Sequence, residues 1–275
     1  MAPASLPVLT DPAESAMVPR LHVATAFAAA AALVLPDATA RHIRVLRLQP
    51  GSPVLLFNGD DGIEWSATVS RMTKTEVEVR LEAPHVVDRE LPCAVTLALG
   101  APANDRMDAF VEKACELGVA AVQPLLCERS VLRLAGERAE AKRRHWSGIA
   151  ASASEQCGRT RVATVSPVQG LQAWLDGAVS ASRGHRVVLS LAADAAPASS
   201  LADVIAPAAA SDGDGERLGL VVLSGPEGGL TAAEEAAAVA RGFVRIGLGP
   251  RVLRADTAPL ALLAWLGLVA ARQAP

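Results

Sequence analysis

Two glycine-rich stretches near the end of the chain carry the strongest chemical signal: LSGPEGGLT at 223–231 and IGLGPRVLRADTAPL at 246–260. Each follows an apolar run of β type and precedes a helix-forming segment. Gly225, Gly228 and Gly229 with Pro226, and then Gly247 and Gly249 with Pro250, strip side chains from the backbone, so a ligand could reach main-chain N–H and C=O groups. Taken alone, either loop could be an ordinary tight turn. Two such loops at consecutive strand ends instead make one continuous backbone-lined pocket. Three familiar glycine loops are excluded. No Lys-Ser/Thr follows, so there is no Walker A phosphate cradle, and the spacing is not G-x-G-x-x-G. No G-x-S-x-G nucleophile elbow occurs anywhere in the chain.

Charged residues cluster at other places where chemistry could be done. Arg254 follows the second glycine loop and is a candidate for holding a developing anion, or else for a phosphate contact or a structural salt bridge. Glu155, Gln156 and Arg159 flank Gly158 at the end of a helix starting near Glu137. They are candidates for substrate contact or proton handling, with helix capping as the plainer alternative. Lys113 and Glu116 are three apart on one helix and suit an ion pair. Glu128 and Arg129 follow a strand end. Arg41, His42, Arg44 and Arg47 form a basic ridge suited to RNA phosphates.

The elements that must position these residues fall into two sets. Between Arg20 and about Val87, short alternating runs are separated by turn clusters at 49–51 and 58–62, as in a small β-barrel of hairpins. An alanine-rich helix is expected near 25–34. From Cys93 onward, apolar β-type runs recur at 94–100, 120–126, 161–165, 186–192, 219–225 and 243–249, with helices between most of them. That alternation predicts an α/β domain whose parallel sheet is covered on both faces. A helix from about Asp105 to Leu117 has Met107, Phe110, Val111, Ala114 and Leu117 on one apolar face and stops at Gly118. Thr231 and Glu234 form a capping box that starts the next helix at Ala232. The domains are expected at 19–88 and 93–275, after a disordered lead at 1–18, with a short helix and a low-complexity loop at 193–217.

Composition narrows the class. The 275 residues carry a net charge of −3, and just over half are apolar, as in a soluble globular protein. The overall acidity argues against a uniformly basic coat, but between Glu128 and Arg161 eight Lys/Arg face four acids. Such a patch binds polyanions, unless it is simply a solvated helix face. Four scattered cysteines with no CxxC pair and no His at metal spacing predict reduced thiols and no metal. The apolar runs at 23–36 and 257–270 are short for a bilayer and are expected to be buried helices. No basic n-region precedes Arg20, so a cytoplasmic protein without membrane association is expected.

The motifs GPEGG, LGPRVLRADTA, DRMDAFVEKACELGV, QPLLCERS, ASEQCGRTRV and RHIRVLRLQPG occur together. In this order they resemble the RsmE-type 16S rRNA uridine-N3 methyltransferases of the SPOUT superfamily. The resemblance covers about residues 19–271. It implies an N-terminal PUA-like RNA-binding barrel and a C-terminal domain tied in a deep trefoil knot, which pairs as a homodimer. It also implies S-adenosylmethionine as methyl donor, with the small ribosomal subunit as partner and U1498 of its 16S rRNA as target. The cofactor would rest, largely by main-chain contacts, on Leu191, Leu223, Gly225, Pro226, Glu227, Gly228, Gly229, Leu248, Gly249 and Leu253. Catalytic roles would fall to Arg254, Glu155 and Arg159. RNA contacts would come from Arg41, His42, Arg44, Arg47, Arg106 and Arg129. The chain reads Ala255-Asp256 where family members commonly have Thr-Glu, which questions side-chain roles at those positions. Two other readings stay open on sequence alone: a SPOUT methyltransferase acting at a different RNA position, and a non-catalytic RNA-binding or assembly factor of the same fold.

Overall fold

The computed structural model describes residues 18–102, 104–177, 184–204 and 218–273. The expected lead at 1–18 lies almost wholly outside them, as does 205–217 of the low-complexity stretch. The chain divides into two compact units, one of residues 1–90 with 154–162 and the other of 91–153 with 163–275.

The first unit holds a five-stranded sheet in the order β1-β3-β4-β5-β2. Its strands are β1 (Arg20–His22), β2 (Ala32–Val34), β3 (Pro53–Phe57), β4 (Ile63–Met72) and β5 (Val77–Val86). β1 runs parallel to β3, β3–β4 and β4–β5 are antiparallel hairpins, and β2 adds antiparallel to β5 from a distance in sequence. The β3–β4 turn is made by Asn58, whose Oδ1 accepts from the N–H groups of Asp60 at 2.9 Å and Asp61 at 3.2 Å. The core gathers Leu21, Ile43, Leu56, Trp65, Val79 and their neighbours.

The helix expected near 25–34 does not form. Its residues run as a loop into β2, an edge strand on β5, with Ala30 in the left-handed region at φ 58°. Alanine propensity is a weak preference, and a ten-residue segment closely followed by Pro36 gains little from it. The helix forms afterwards instead, as α1 (Asp37–Val45), burying Ala40 and Ile43.

Residues 154–162 pack with the first unit through a dense polar network. Arg20 donates to Glu64 at 2.5 Å and to the carbonyls of Ser154 and Glu155 at 2.9 Å. The N–H of His22 donates to Glu155 Oε1 at 2.7 Å. Arg159 pairs with Glu90, and Thr160 donates to the Val87 carbonyl.

The second unit is built on an eight-stranded sheet in the order β11-β13-β10-β12-β6-β7-β8, with β9 also on β7, and every pairing among the described residues is parallel. Its strands are β6 (Ala94–Gly100), β7 (Ala121–Leu126), β8 (Thr164–Val165), β9 (Gln169–Gly170), β10 (Gly184–Leu189), β11 (Ala196–Pro197), β12 (Gly219–Ser224) and β13 (Val244–Gly247). Their near-continuous Val/Leu content is what a sheet buried on both faces requires. The helices are α2 (Asn104–Glu116), α3 (Gly136–Cys157), α4 (Leu171–Asp176), α5 (Ala232–Val239) and α6 (Thr257–Gln273), with a 3-10 turn at Ala198–Val204. Met107, Phe110, Val111 and Ala114 of α2 are buried, as its periodicity demands, and Gly118 at φ 92° turns the chain away. Because β10 lies between β12 and β13, the loops leaving these three strands are neighbours at the carboxyl edge of the sheet. Open parallel sheets bind ligands at such a reversal of strand order.

Candidate active site at the glycine loops

The loop after β12 is set by its own chemistry. Thr231 caps α5 by accepting from the Glu234 N–H at 3.2 Å, and Glu234 Oε2 accepts from the Thr231 N–H at 2.8 Å. That reciprocal box fixes where the loop ends. Gly229 sits at φ 69°, a conformation side chains disfavour. At Gly225 a Cβ would lie 2.6 Å from the Leu230 nitrogen, so the loop folds back on itself with no room for a methyl group.

This loop, the turn after β10 and the loop after β13 enclose a cavity of about 670 Å³, a size that suits a cofactor-sized ligand. Its apolar rim includes Leu191 and Val252, exposed by 72% and 78%. Four arginines line it: Arg106, Arg129, Arg251 and Arg254. Arg129 donates to the Gly228 carbonyl at 3.0 Å, and Arg106 stands 4.0 Å from Glu227. Glu235 accepts from Ser190 Oγ at 3.0 Å and from Arg245 Nε at 2.5 Å, and that carboxylate holds the Arg245 guanidinium in its charged form. The Arg254 carbonyl accepts the first two N–H groups of α6, from Thr257 and Ala258, at 3.0 Å. Its guanidinium is exposed, with no acceptor among the described residues. Cys127, at the end of β7, has its thiol pushed up to about 12, first by burial and then by the Glu234 carboxylate, so it is no nucleophile at neutral pH.

Ten expected site residues line this cavity besides Arg254: Leu191, Gly225, Pro226, Glu227, Gly228, Gly229, Leu248, Leu253, Arg106 and Arg129. Gly249 adjoins it at φ 95°. Leu223 does not line it; its side chain is fully buried in the core with Leu125, Val188 and Phe243. Glu155 and Arg159 are also not brought there. Glu155 Oε1 accepts from the His22 N–H in the first unit, and Arg159 is 3% exposed and bound to Glu90. Arg41, His42 and Arg47 are exposed in the first unit, on or just past α1, and Arg44 is partly exposed and donates to the Thr73 carbonyl at 3.3 Å.

Several lining residues were not singled out from the sequence, among them Ser190, Ser224, Glu235 and Val252. Ser190 and Ser224 lie at the carboxyl ends of β10 and β12, so the strand-end rule that located the glycines could have reached them. Ala255 lines the cavity, whereas Asp256 does not. Asp256 Oδ1 is buried without a hydrogen-bond partner among the described residues. The reason is local. It precedes α6, whose third residue is Pro259, so the N–H that such a side chain usually accepts is missing.

Comparison with known proteins agrees with this architecture. Residues 89–267 match the family described as an RNA methyltransferase domain, and residues 35–82 match the RNA methyltransferase PUA domain. The ribosomal RNA small subunit methyltransferase E of Bacillus subtilis is 33% identical over 224 residues, which is 79% of this chain and 82% of that protein. The crystal structure of the enzyme of that name from Neisseria gonorrhoeae, bound to S-adenosyl methionine, is 32% identical. It superposes with a TM-score of 0.80, covering 92% of this chain and 98% of that one. A methyltransferase from Legionella pneumophila, with SAM bound, is 28% identical at a TM-score of 0.78, covering 93% and 98%. With a family match across most of the second unit and 33% identity to a relative over 79% of the chain, the chain belongs to the RsmE-type family of ribosomal RNA small subunit methyltransferases.

Proposed function

We propose that the protein methylates N3 of a uridine in 16S rRNA of the small ribosomal subunit, with S-adenosylmethionine as donor and the family's target, U1498, as acceptor. The observation that carries this reading is the arginine-rimmed cavity walled by three backbone loops at adjacent strand ends. The residues fit the cofactor. Gly225, Gly228 and Gly229 line the cavity with no side chain to cover their main-chain groups, and Leu191 and Val252 supply apolar walls for a purine. Gly225, Glu227, Gly228, Gly229, Leu248, Gly249 and Leu253 would hold it, mostly through the backbone. When bound, it supplies an activated methyl group for an in-line displacement.

The chain's own task is to orient the acceptor and to manage charge. Uridine N3 carries a proton at neutral pH, and its loss spreads negative charge over N3, O2 and O4. Arg254, exposed at the cavity and unengaged by any described acceptor, is suited to hold that charge. Glu235 and Glu227 each face a guanidinium, and Ser190 is tied to Glu235. These carboxylates shape the wall, and the proton is assigned to solvent. Arg106 and Arg129 at the cavity, and Arg41, His42, Arg44 and Arg47 in the first unit, would contact RNA phosphates. The helix α6 leaves Leu268 68% exposed next to a run of apolar residues, which supports pairing of two copies through this helix.

The test is to map base methylation in small-subunit rRNA from a strain lacking the gene. One N3-methyluridine should vanish and return with the wild-type gene. Loss of a mark at another position would move the enzyme to a different target. An unchanged rRNA together with absent cofactor binding would favour an assembly factor.

A further inference from the structure

The capping carboxylate of α5 makes one bond more than a cap needs. Glu234 Oε2 accepts from the Thr231 N–H at 2.8 Å, which completes the box, while Oε1 accepts from the Glu128 N–H, also at 2.8 Å. Glu128 opens the loop after β7, and β6 separates β7 from β12 in the sheet. The single carboxylate therefore ties two loops that are far apart in sequence. A second tie lies beside it, where Arg129 donates to the Gly228 carbonyl at 3.0 Å and the position of a Gly228 Cβ would be 3.0 Å from Arg129 Cβ. Beyond these ties the β7 loop presents Val131, 77% exposed, and Arg133, which donates to the Glu128 carbonyl at 3.1 Å.

We propose that Glu234 is a positioning residue that clamps the Arg129–Arg133 loop to the glycine loop, so that occupancy of the cavity sets the RNA-facing loop and the two ligands bind cooperatively. This rests on the reading of the cavity as a cofactor site and of Arg129 as an RNA contact. A cofactor ordering the loop at Gly228 would order Arg129 through the carbonyl it grips, and Glu234 would hold the root of the same loop. Linkage is reciprocal, so RNA would tighten cofactor binding by the same factor.

The experiment measures affinity for small subunits from the deletion strain, with and without S-adenosylhomocysteine, which cannot turn over. The wild type is expected to bind about tenfold tighter with it, within the usual range for coupled sites. Glu234→Gln offers one oxygen to two N–H donors, so one bond becomes a donor–donor contact, and the linkage should fall below about twofold. Glu128→Pro is the cleaner variant. Ser130 N–H bonds to the Cys127 carbonyl, which makes Glu128 the second residue of a tight turn, where proline is favoured. It deletes the N–H that Oε1 accepts, together with the Glu128 carboxylate, leaves the cap intact, and should lose the linkage too, whereas Glu128→Ala, which removes the carboxylate alone, should keep it. Thr231→Ala weakens the cap but spares the clamp, so it should lower the unfolding midpoint and keep the tenfold linkage. The proposal is overturned if Glu128→Pro and Glu234→Gln keep the linkage, or if Thr231→Ala loses it as fully. A wild type that binds both ligands independently overturns the clamp and leaves the methyltransferase reading intact. A wild type that binds neither overturns both.

Discussion

Arg159 in the first unit and Arg254 in the second both sit close to glycine turns, yet their surroundings differ in kind. Arg159 is 3% exposed, with Nε 2.9 Å from Glu90 Oε1 and a second nitrogen on the other carboxylate oxygen. Arg254 is exposed at a cavity, with no described acceptor for its guanidinium. A buried guanidinium is tolerated only when its bonds are filled, so it serves the fold. An exposed one, held by its backbone at the start of a helix, leaves its donors for a ligand. The same residue type is thus consumed by the fold in one place and left open to a ligand in the other, and the presence of a carboxylate partner decides which.

The contrast breaks most visibly at the buried pair. Arg159→Ala strands the Glu90 carboxylate and is expected to cost about 3–5 kcal/mol, read from urea unfolding. At the cavity, substitution should strike binding instead. Gly225→Ala places a methyl 2.6 Å from the Leu230 nitrogen, so the loop must shift. S-adenosylmethionine affinity by calorimetry should drop by roughly tenfold or more, in line with about 1–3 kcal/mol for overpacking. A smaller effect is expected at the ridge. Arg44→Ala with Arg47→Ala should weaken RNA binding and shrink its salt slope by about 0.7–0.9 per lost phosphate contact, with cofactor affinity unchanged.

The smallest effect is alkaline. The Cys127 thiol is raised in the fold to about 12 from an ordinary 9.0, because burial favours its neutral form. The unfolded chain ionises first, so this contribution to stability is complete below the ordinary value and is lost as pH rises from there toward the folded one. The wild-type urea midpoint should therefore fall more steeply from pH 9.0 toward about 12 than that of Cys127→Ala.

Much of the second unit was legible because its signals are local. The T-x-x-E box placed the start of α5 at Ala232, as observed, and the apolar spacing of α2 named its buried face. The strand-end rule found the glycine loops. What escaped depends on distance along the chain. Arg159 meets Glu90 across 69 residues, and Arg20 reaches the Ser154 carbonyl across 134, so no spacing pattern could show that these groups are consumed. Leu223 escaped for a subtler reason. β12 is buried on both faces, so its continuous apolar run does not show which residue turns into the core and which toward the cavity. The failed helix at 25–34 shows propensity yielding to an edge strand that completes the sheet.

The central claim is that Arg254 acts on the chemistry and not on the fold. The direct measurement is the single-turnover rate of Arg254→Ala with RNA and S-adenosylmethionine both saturating, beside its unfolding midpoint. The account predicts a rate lower by about 10²–10³-fold, the loss expected for a missing anion donor, with stability within about 0.5 kcal/mol of the wild type. A rate that recovers fully at saturation, or a loss explained by unfolding, would contradict it.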